Sequence, residues 1–192
     1  MRKFIFMLAG FFAILSTSSC GYNTMVDLDE QVKSQWAQVQ NVYKRRADLI
    51  PNLVASVKGA AAHEKETLTA VIEARAKATA VNVDPAKLTP EAIEKFNQAQ
   101  GELGSALGRL MMVTENYPQL QANQNFLQLQ EQIEGTENRI TVERQKFNEV
   151  TRVYNSKIRS FPNNLTAGMF GFQKKGYFEA DPAAQNAPKV EF

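Results

Sequence analysis

Apolar residues recur along this chain at helical spacing. Met25, Leu28, Val32, Trp36, Val39, Tyr43, Ala47, Ile50 and Val54 follow one another at intervals of three and four, which is one face of an α-helix. The mean interval lies near 3.6, so little supercoil is required. Pro51 sits inside this stripe. A proline there removes one backbone hydrogen bond and crowds the carbonyl four residues back, that of Ala47. The pattern predicts a kink at Ile50–Pro51 rather than a hairpin. It resumes through Leu53, Val57, Ala61, Leu68, Val71 and Ile72 to about Ala80. Residues 25–80 as one kinked helix would extend roughly 80 Å.

Residues 81–90, VNVDPAKLTP, carry two prolines and read as a loop. Thr89, Pro90 and Glu91 then form a helix start: a hydroxyl cap, a proline in the first turn, and an acid near the positive end. The helix that follows buries Ile93, Phe96, Leu103, Leu107 and Leu110 and stops before Pro118. A last helix is predicted from about Asn123 to Ser160. Its Ile133, Ile140, Phe147, Tyr154 and Phe161 repeat every seven residues, as in a bundle or coiled coil. The companion stripe Glu137, Arg144, Thr151 and Ile158 is partly polar, so that side is less fully buried. Short loops between long helices favour antiparallel neighbours. The expected fold is all-α: an elongated antiparallel up-and-down helical bundle of three to four long helices, the first kinked at Pro51.

The two ends differ from this pattern. Residues 1–19 place Arg2 and Lys3 before an apolar run, Phe4 to Leu15, and then the small residues Ser16 to Ser19. That order is a signal peptide. The run is 12 residues long, against about 20 for a spanning helix. Cys20 is the only cysteine and so has no internal disulfide partner. Its position resembles a bacterial lipoprotein signal, in which the thiol is acylated and the chain is cut before it; Thr17 stands where that pattern usually has Leu. Residues 20–160 are then the bundle. Residues 161–180 mix aromatics with Gly and Pro: Phe170, Phe172, Tyr177 and Phe178 either cap the apolar end of the bundle or form a groove-seeking or membrane-touching tail. Residues 181–192 read as disordered.

Composition narrows the chemistry. Removing Arg2 and Lys3 with the signal leaves 22 − 2 = 20 basic residues against 20 acidic ones. No basic stripe of the kind nucleic acid requires is present. His63 opens HEKE at 63–66, but position 67 is Thr67, and no second histidine exists to complete a zinc pair. Glu64 and Glu66 are two apart on a helix and do not share a face. No phosphate loop, dinucleotide fingerprint or nucleophile elbow occurs. The chain is expected to be no enzyme and to use no metal or cofactor. Gly101, Gly104 and Gly108 lie along one side of the third helix, each costing about 1 kcal/mol relative to Ala. They suggest a close approach, by a neighbouring helix of the bundle or by another molecule. KRRADLIPNL at 44–53 gathers Arg45, Arg46, Asp48 and Asn52 around Pro51. This is either a solvated kink or a docking patch for a partner or for lipid headgroups.

RRADLIPNLV at 45–54, HEKETL at 63–68, EARAKA at 73–78, AQGELGSALGRL at 99–110, NFLQLQEQIEGTENRI at 125–140, YNSKIRSFPNNL at 154–165 and GFQKKGYFEA at 171–180 together resemble the LemA family. CGYN at 20–23 and the terminal PKVEF do so as well. The resemblance implies a membrane-attached helical bundle outside the cytoplasm, with no defining enzymatic activity. Many members carry a spanning N-terminal helix, whereas the short run and Cys20 here favour a lipid anchor. The expectation is an envelope protein on the non-cytoplasmic, periplasmic side, anchored through Cys20. Its role would be as a scaffold or interaction module for other envelope proteins, with self-association open to it. The alternative is binding of lipid or a small apolar ligand.

Overall fold

The computed structural model describes residues 2–61 and 63–179, with side chains from Gly21 onward. Cys20's side chain and the 181–192 tail lie outside the described residues. The chain is an all-α bundle. Its elements are α1 (Arg2–Ala60), α2 (Lys65–Ala80), α3 (Pro90–Thr114), the single turn α4 (Pro118–Gln121), α5 (Gln124–Arg159) and the single turn α6 (Asn163–Thr166). From Gly21 to Ala60, α1 runs about 60 Å. It packs chiefly on α5, and α2 packs chiefly on α3. The α1–α5 pair is antiparallel: Gln35 meets Glu143, Trp36 meets Phe147 and Arg46 meets Glu137.

The apolar stripe of α1 is the buried face. Met25, Val32, Trp36, Val39, Tyr43, Ala47, Ile50, Leu53 and Val57 are all buried. Pro51 lies inside α1 and does not end it. The Ala47 carbonyl, deprived of the N–H that residue 51 would supply, accepts instead from Arg75 Nε of α2 at 2.7 Å. A neighbouring helix thus restores the bond that the proline removes, which is how a mid-helix proline becomes tolerable.

The first helix does not run to Ala80. The chain leaves the helix after Ala60 and re-enters at Lys65, so α2 folds back on α1. Tyr117 hydroxyl donates to Glu64 Oε1 at 2.8 Å and Gln119 Nε2 to the Ala60 carbonyl at 3.4 Å, binding this turn to α4 and its N-cap. Ile72, expected in the stripe, is half exposed; Leu68, Val71, Ala74 and Ala78 carry the buried face of α2. The caps form where the sequence places them. Thr89 Oγ1 accepts from Ala92 N, and Asn123 Oδ1 accepts from Asn125 N and Phe126 N. On α5 the seven-residue stripe is buried from Ile133 to Tyr154, but Phe161 lies beyond the helix end and is 79% exposed.

Residues 172–179 form a strap that runs back along α5. Asn155 grips Lys175 by both backbone groups, Nδ2 to the carbonyl at 2.9 Å and Oδ1 from the amide at 2.9 Å. Asn148 grips Phe178 in the same way, at 2.8 Å each. Seven residues of helix rise roughly 10.5 Å and three residues of extended chain span roughly 10 Å. Two asparagines a heptad apart therefore match two strap residues three apart. The strap also crosses to α3: Gly176 N donates to the Leu88 carbonyl at 2.9 Å, and a Cβ at 176 would stand 2.7 Å from Pro90 Cα, so only glycine fits. Phe178 enters the core between Trp36, Phe96 and Phe147. The aromatic segment thus lies along the bundle and its core, with Phe172 and Tyr177 partly buried; only Phe170 is largely exposed.

Candidate functional site

Three polar side chains meet inside the bundle, one from each of α1, α3 and α5. Arg46 is 3% exposed. Its Nη1 donates to Glu137 Oε1 at 2.7 Å, and its Nη2 to Gln100 Oε1 at 2.6 Å and to the Gln100 carbonyl at 3.2 Å. Gln100 Nε2 in turn donates to the Ala78 carbonyl of α2 at 3.3 Å. The guanidinium also lies 5.1 Å from the Tyr43 ring centroid. Burial pushes the Tyr43 hydroxyl above its usual range, although Arg144 and Arg46 pull the other way. Arg46 Nε is buried without a partner.

This cluster forms one layer. Tyr43, Phe96 and Ile140 belong to the core on one side of it, and Ile50, Leu103 and Ile133 to the core on the other. A buried arginine here can be held only because it is paired and hydrogen-bonded, since an isolated buried charge costs several kcal/mol.

The layer floors a cleft of about 970 Å³ whose walls include α3, α5 and the strap. Charged residues of both signs line it: Glu73 and Lys77 from α2, Glu94 and Arg109 from α3, Arg144 from α5 and Glu179 from the strap. Gly101 and Gly104 line the α3 wall. Of the two approaches that Gly101, Gly104 and Gly108 suggest, the structure corrects that by a neighbouring helix of the bundle: a Cβ at any of the three would meet nothing within 4 Å.

The candidate patch around Pro51 is divided. Arg45, Asp48, Pro51 and Asn52 are exposed together on the outer side of α1, and no ion pair joins Arg45 to Asp48 among the described residues. Arg46 turns the other way and is interior, because a neighbour in a helix sits about 100° around the axis. His63 is exposed in the turn between α1 and α2 rather than on a helix. Among the described residues no group of three His, Cys, Asp or Glu is placed to hold a metal ion. No helix among them is long and apolar enough to cross a membrane. Gln100 escaped sequence reasoning, since a glutamine in a helix gives no sign of which way it points. Glu137 left a trace as a carboxylate one heptad from Arg144 on a companion stripe.

Residues 35–192 match the LemA family. The chain is 28% identical to magnetosome protein MamQ 2 of Paramagnetospirillum magneticum, an alignment covering 89% of this chain and 69% of that one. Magnetosome protein MamQ of Magnetospirillum gryphiswaldense is 27% identical with the same coverage. Protein LemA of Metamycoplasma hominis is 25% identical over 82% of this chain and 68% of its own. None of these names denotes an enzyme.

Proposed function

The chain belongs to the LemA family, and on that premise we propose that it is a non-catalytic interaction module of the cell envelope. It is held to a membrane through acylated Cys20, with the bundle on the non-cytoplasmic, periplasmic side, and the cleft receives a helical segment of another envelope protein. The cleft carries this reading. It is open, large enough for side chains of a partner, and walled by glycines whose vacant Cβ positions allow a second helix axis to come close; axes pack roughly 8–10 Å apart according to the side chains between them. Its charged lining suits a peptide with polar side chains better than an apolar small molecule, whose sites are mostly apolar. The outer stripe of Arg45, Asp48 and Asn52 is the competing contact surface.

Photo-cross-linking in cells separates the two surfaces. A cross-linkable residue is placed at Ser105, in the cleft, or at Asn52, on the outer side of α1. The expected result is one envelope protein captured from Ser105 and lost when Gly104→Trp fills the cleft, with the melting temperature and helical circular dichroism retained. Capture from Asn52 alone moves the contact to the outer stripe. Capture from neither position overturns the interaction reading.

A further inference from the structure

The described residues expose ten large hydrophobic side chains, and four of the five most exposed lie in one short segment: Phe161 at 79%, Leu165 at 63%, Met169 at 83% and Phe170 at 57%. Helical-type bonds hold this segment in turns, from Asn164 N to the Ser160 carbonyl, Ala167 N to the Asn163 carbonyl and Phe170 N to the Thr166 carbonyl. Leu165 and Met169 are four apart on this winding and so share a side, and Phe161 stands just before its first turn. The exposure is not a frayed end, because the same segment buries Asn163 and Ala167 and is tied to the strap.

Its location gives the exposure a meaning. The Phe170 ring packs edge-on to Tyr22, with centroids 4.9 Å apart. Gly21 approaches the Asn163 carboxamide so closely that a Cβ there would collide with it. The tip therefore sits beside the residues that immediately follow Cys20. Two residues of helix rise roughly 3 Å, so Tyr22 lies within a few ångströms of the anchoring position along the axis.

The charge around the tip has one sign on the α5 side. Residues 150–178 contain five basic residues and no acidic one. Of these, Lys157, Arg159 and Lys174 take part in no ion pair among the described residues. On the α1 side Asp29 is held by Lys33 and Lys175, and Glu30 by Lys33, which leaves Asp27 as the one unpaired carboxylate of that first stretch.

From the apolar tip, its basic flank and its place beside Cys20 we infer that this end of the bundle is a membrane-surface contact. Phe161, Leu165, Met169 and Phe170 enter the headgroup boundary of an anionic phospholipid bilayer, and Lys157 and Arg159 meet its phosphates. Phe and Leu side chains on one face with basic residues beside them suit that boundary, because the apolar groups leave water and the cations are drawn to an anionic surface. The bundle then stands up from the membrane, with its Ala60 end and the cleft held away from lipid. The inference rests on the anchored reading proposed above.

The test uses the full chain reconstituted into vesicles of phosphatidylglycerol and phosphatidylcholine with brominated acyl chains. Trp36, the only tryptophan, is fully buried and supplies the background. Met169→Trp reports on the tip, and Met112→Trp on an equally apolar exposed site at the far end. The expected result is that Met169→Trp loses about half of its added emission to bromine, as for a ring roughly 5–10 Å into the boundary. The loss falls when phosphatidylglycerol is omitted, and Met112→Trp matches the background. Vesicle-bound chain with no quenching from position 169 overturns the inference and leaves the anchor intact. A blue-shifted but unquenched Met169→Trp means that a second copy covers the tip, which also overturns it. Chain that fails to float with vesicles removes the anchored reading and the inference together.

Discussion

The two hydrophobic cores of this bundle are equal in number of buried residues and unlike in material. The core nearer Cys20 holds Trp36, Tyr43, Phe96, Phe147, Tyr154 and Phe178 among its fifteen buried residues, whereas the core nearer Ala60 holds Phe126 alone and four alanines among its fifteen. The aliphatic core is made by helices and the α4 turn. The aromatic core also recruits Val83 and Leu88 from the α2–α3 loop and Phe178 from the strap. Large rings leave gaps that only further chain fills, while alanines let α2 lie directly on α3. The Arg46 layer stands between the two. The comparison teaches that the core of one half is completed by loop and strap residues and that of the other chiefly by helices, with Tyr117 and Gln119 tying its end turn.

Phe178→Ala should produce the largest effect. It removes a ring that touches Trp36, Phe96 and Phe147 and lies under Arg144 at 4.8 Å. A loss of about 3–5 kcal/mol is expected in denaturant unfolding. Hydrogen exchange should quicken in the strap and around Trp36, and less around Leu103 and Leu107. Equal loss of protection in both halves would show that the cores do not differ in how they are held.

Arg46→Ala comes next and separates the layer from the surface. It leaves Gln100 and Glu137 without their partner, and breaking a buried pair costs about 3–5 kcal/mol; the half-exposed Glu137 places the expectation near the lower figure. Arg45→Ala, one residue away and exposed, should change stability by less than about 0.5 kcal/mol. Thermal or urea unfolding of the two variants side by side checks the contrast.

The smallest effect is that of acid, and it is confined to the aromatic half. Burial alone would raise the Asp29 carboxyl, but hydrogen bonds and charge from Lys175 and Lys33 outweigh it and the net shift is downward. A lowered folded-state value means stability that is fully present above the ordinary carboxylate value near 3.8 and is lost as pH falls through the folded-state value. Protection of the Lys175 and Phe178 amides, taken relative to the intrinsic exchange rate at each pH, should therefore fall below about pH 4 before the aliphatic core opens. Asp29→Asn should weaken that dependence, with Glu143, Glu91 and Glu149, whose carboxyls are also held below the ordinary value, carrying what remains.

Much of this architecture was legible in the residues. The three-and-four stripe from Met25 to Val54, the Thr89–Pro90–Glu91 start and the seven-residue run on α5 each carry their own local signal, and each lies where expected. The turn after Ala60 carried no such signal. Val57, Ala61 and Leu68 keep helical phase across the break, so periodicity alone reads one helix, and the apolar faces of α1 and α2 become two only by folding together. Phe161 keeps the heptad in sequence but stands after the end of α5 and faces solvent. Of the candidate residues around Pro51, a local reading recovers the exposure of Arg45, Asp48 and Asn52. It misses Arg46, which is buried because Gln100 and Glu137 reach it from helices 54 and 91 residues away.

By itself the sequence determined the class: long amphipathic helices, their caps, the loop between α2 and α3, and a family whose motifs run through the chain. These depend on spacing and on interactions within a few residues. The tertiary structure decided what those helices enclose. It set the hairpin at Ala60, the rescue of the Ala47 carbonyl by Arg75, the asparagine-held strap, the polar layer and the apolar tip beside Gly21. Each of these joins residues far apart in the chain, and a side chain's choice between core and solvent is made by the neighbour that arrives, not by the residues beside it in sequence.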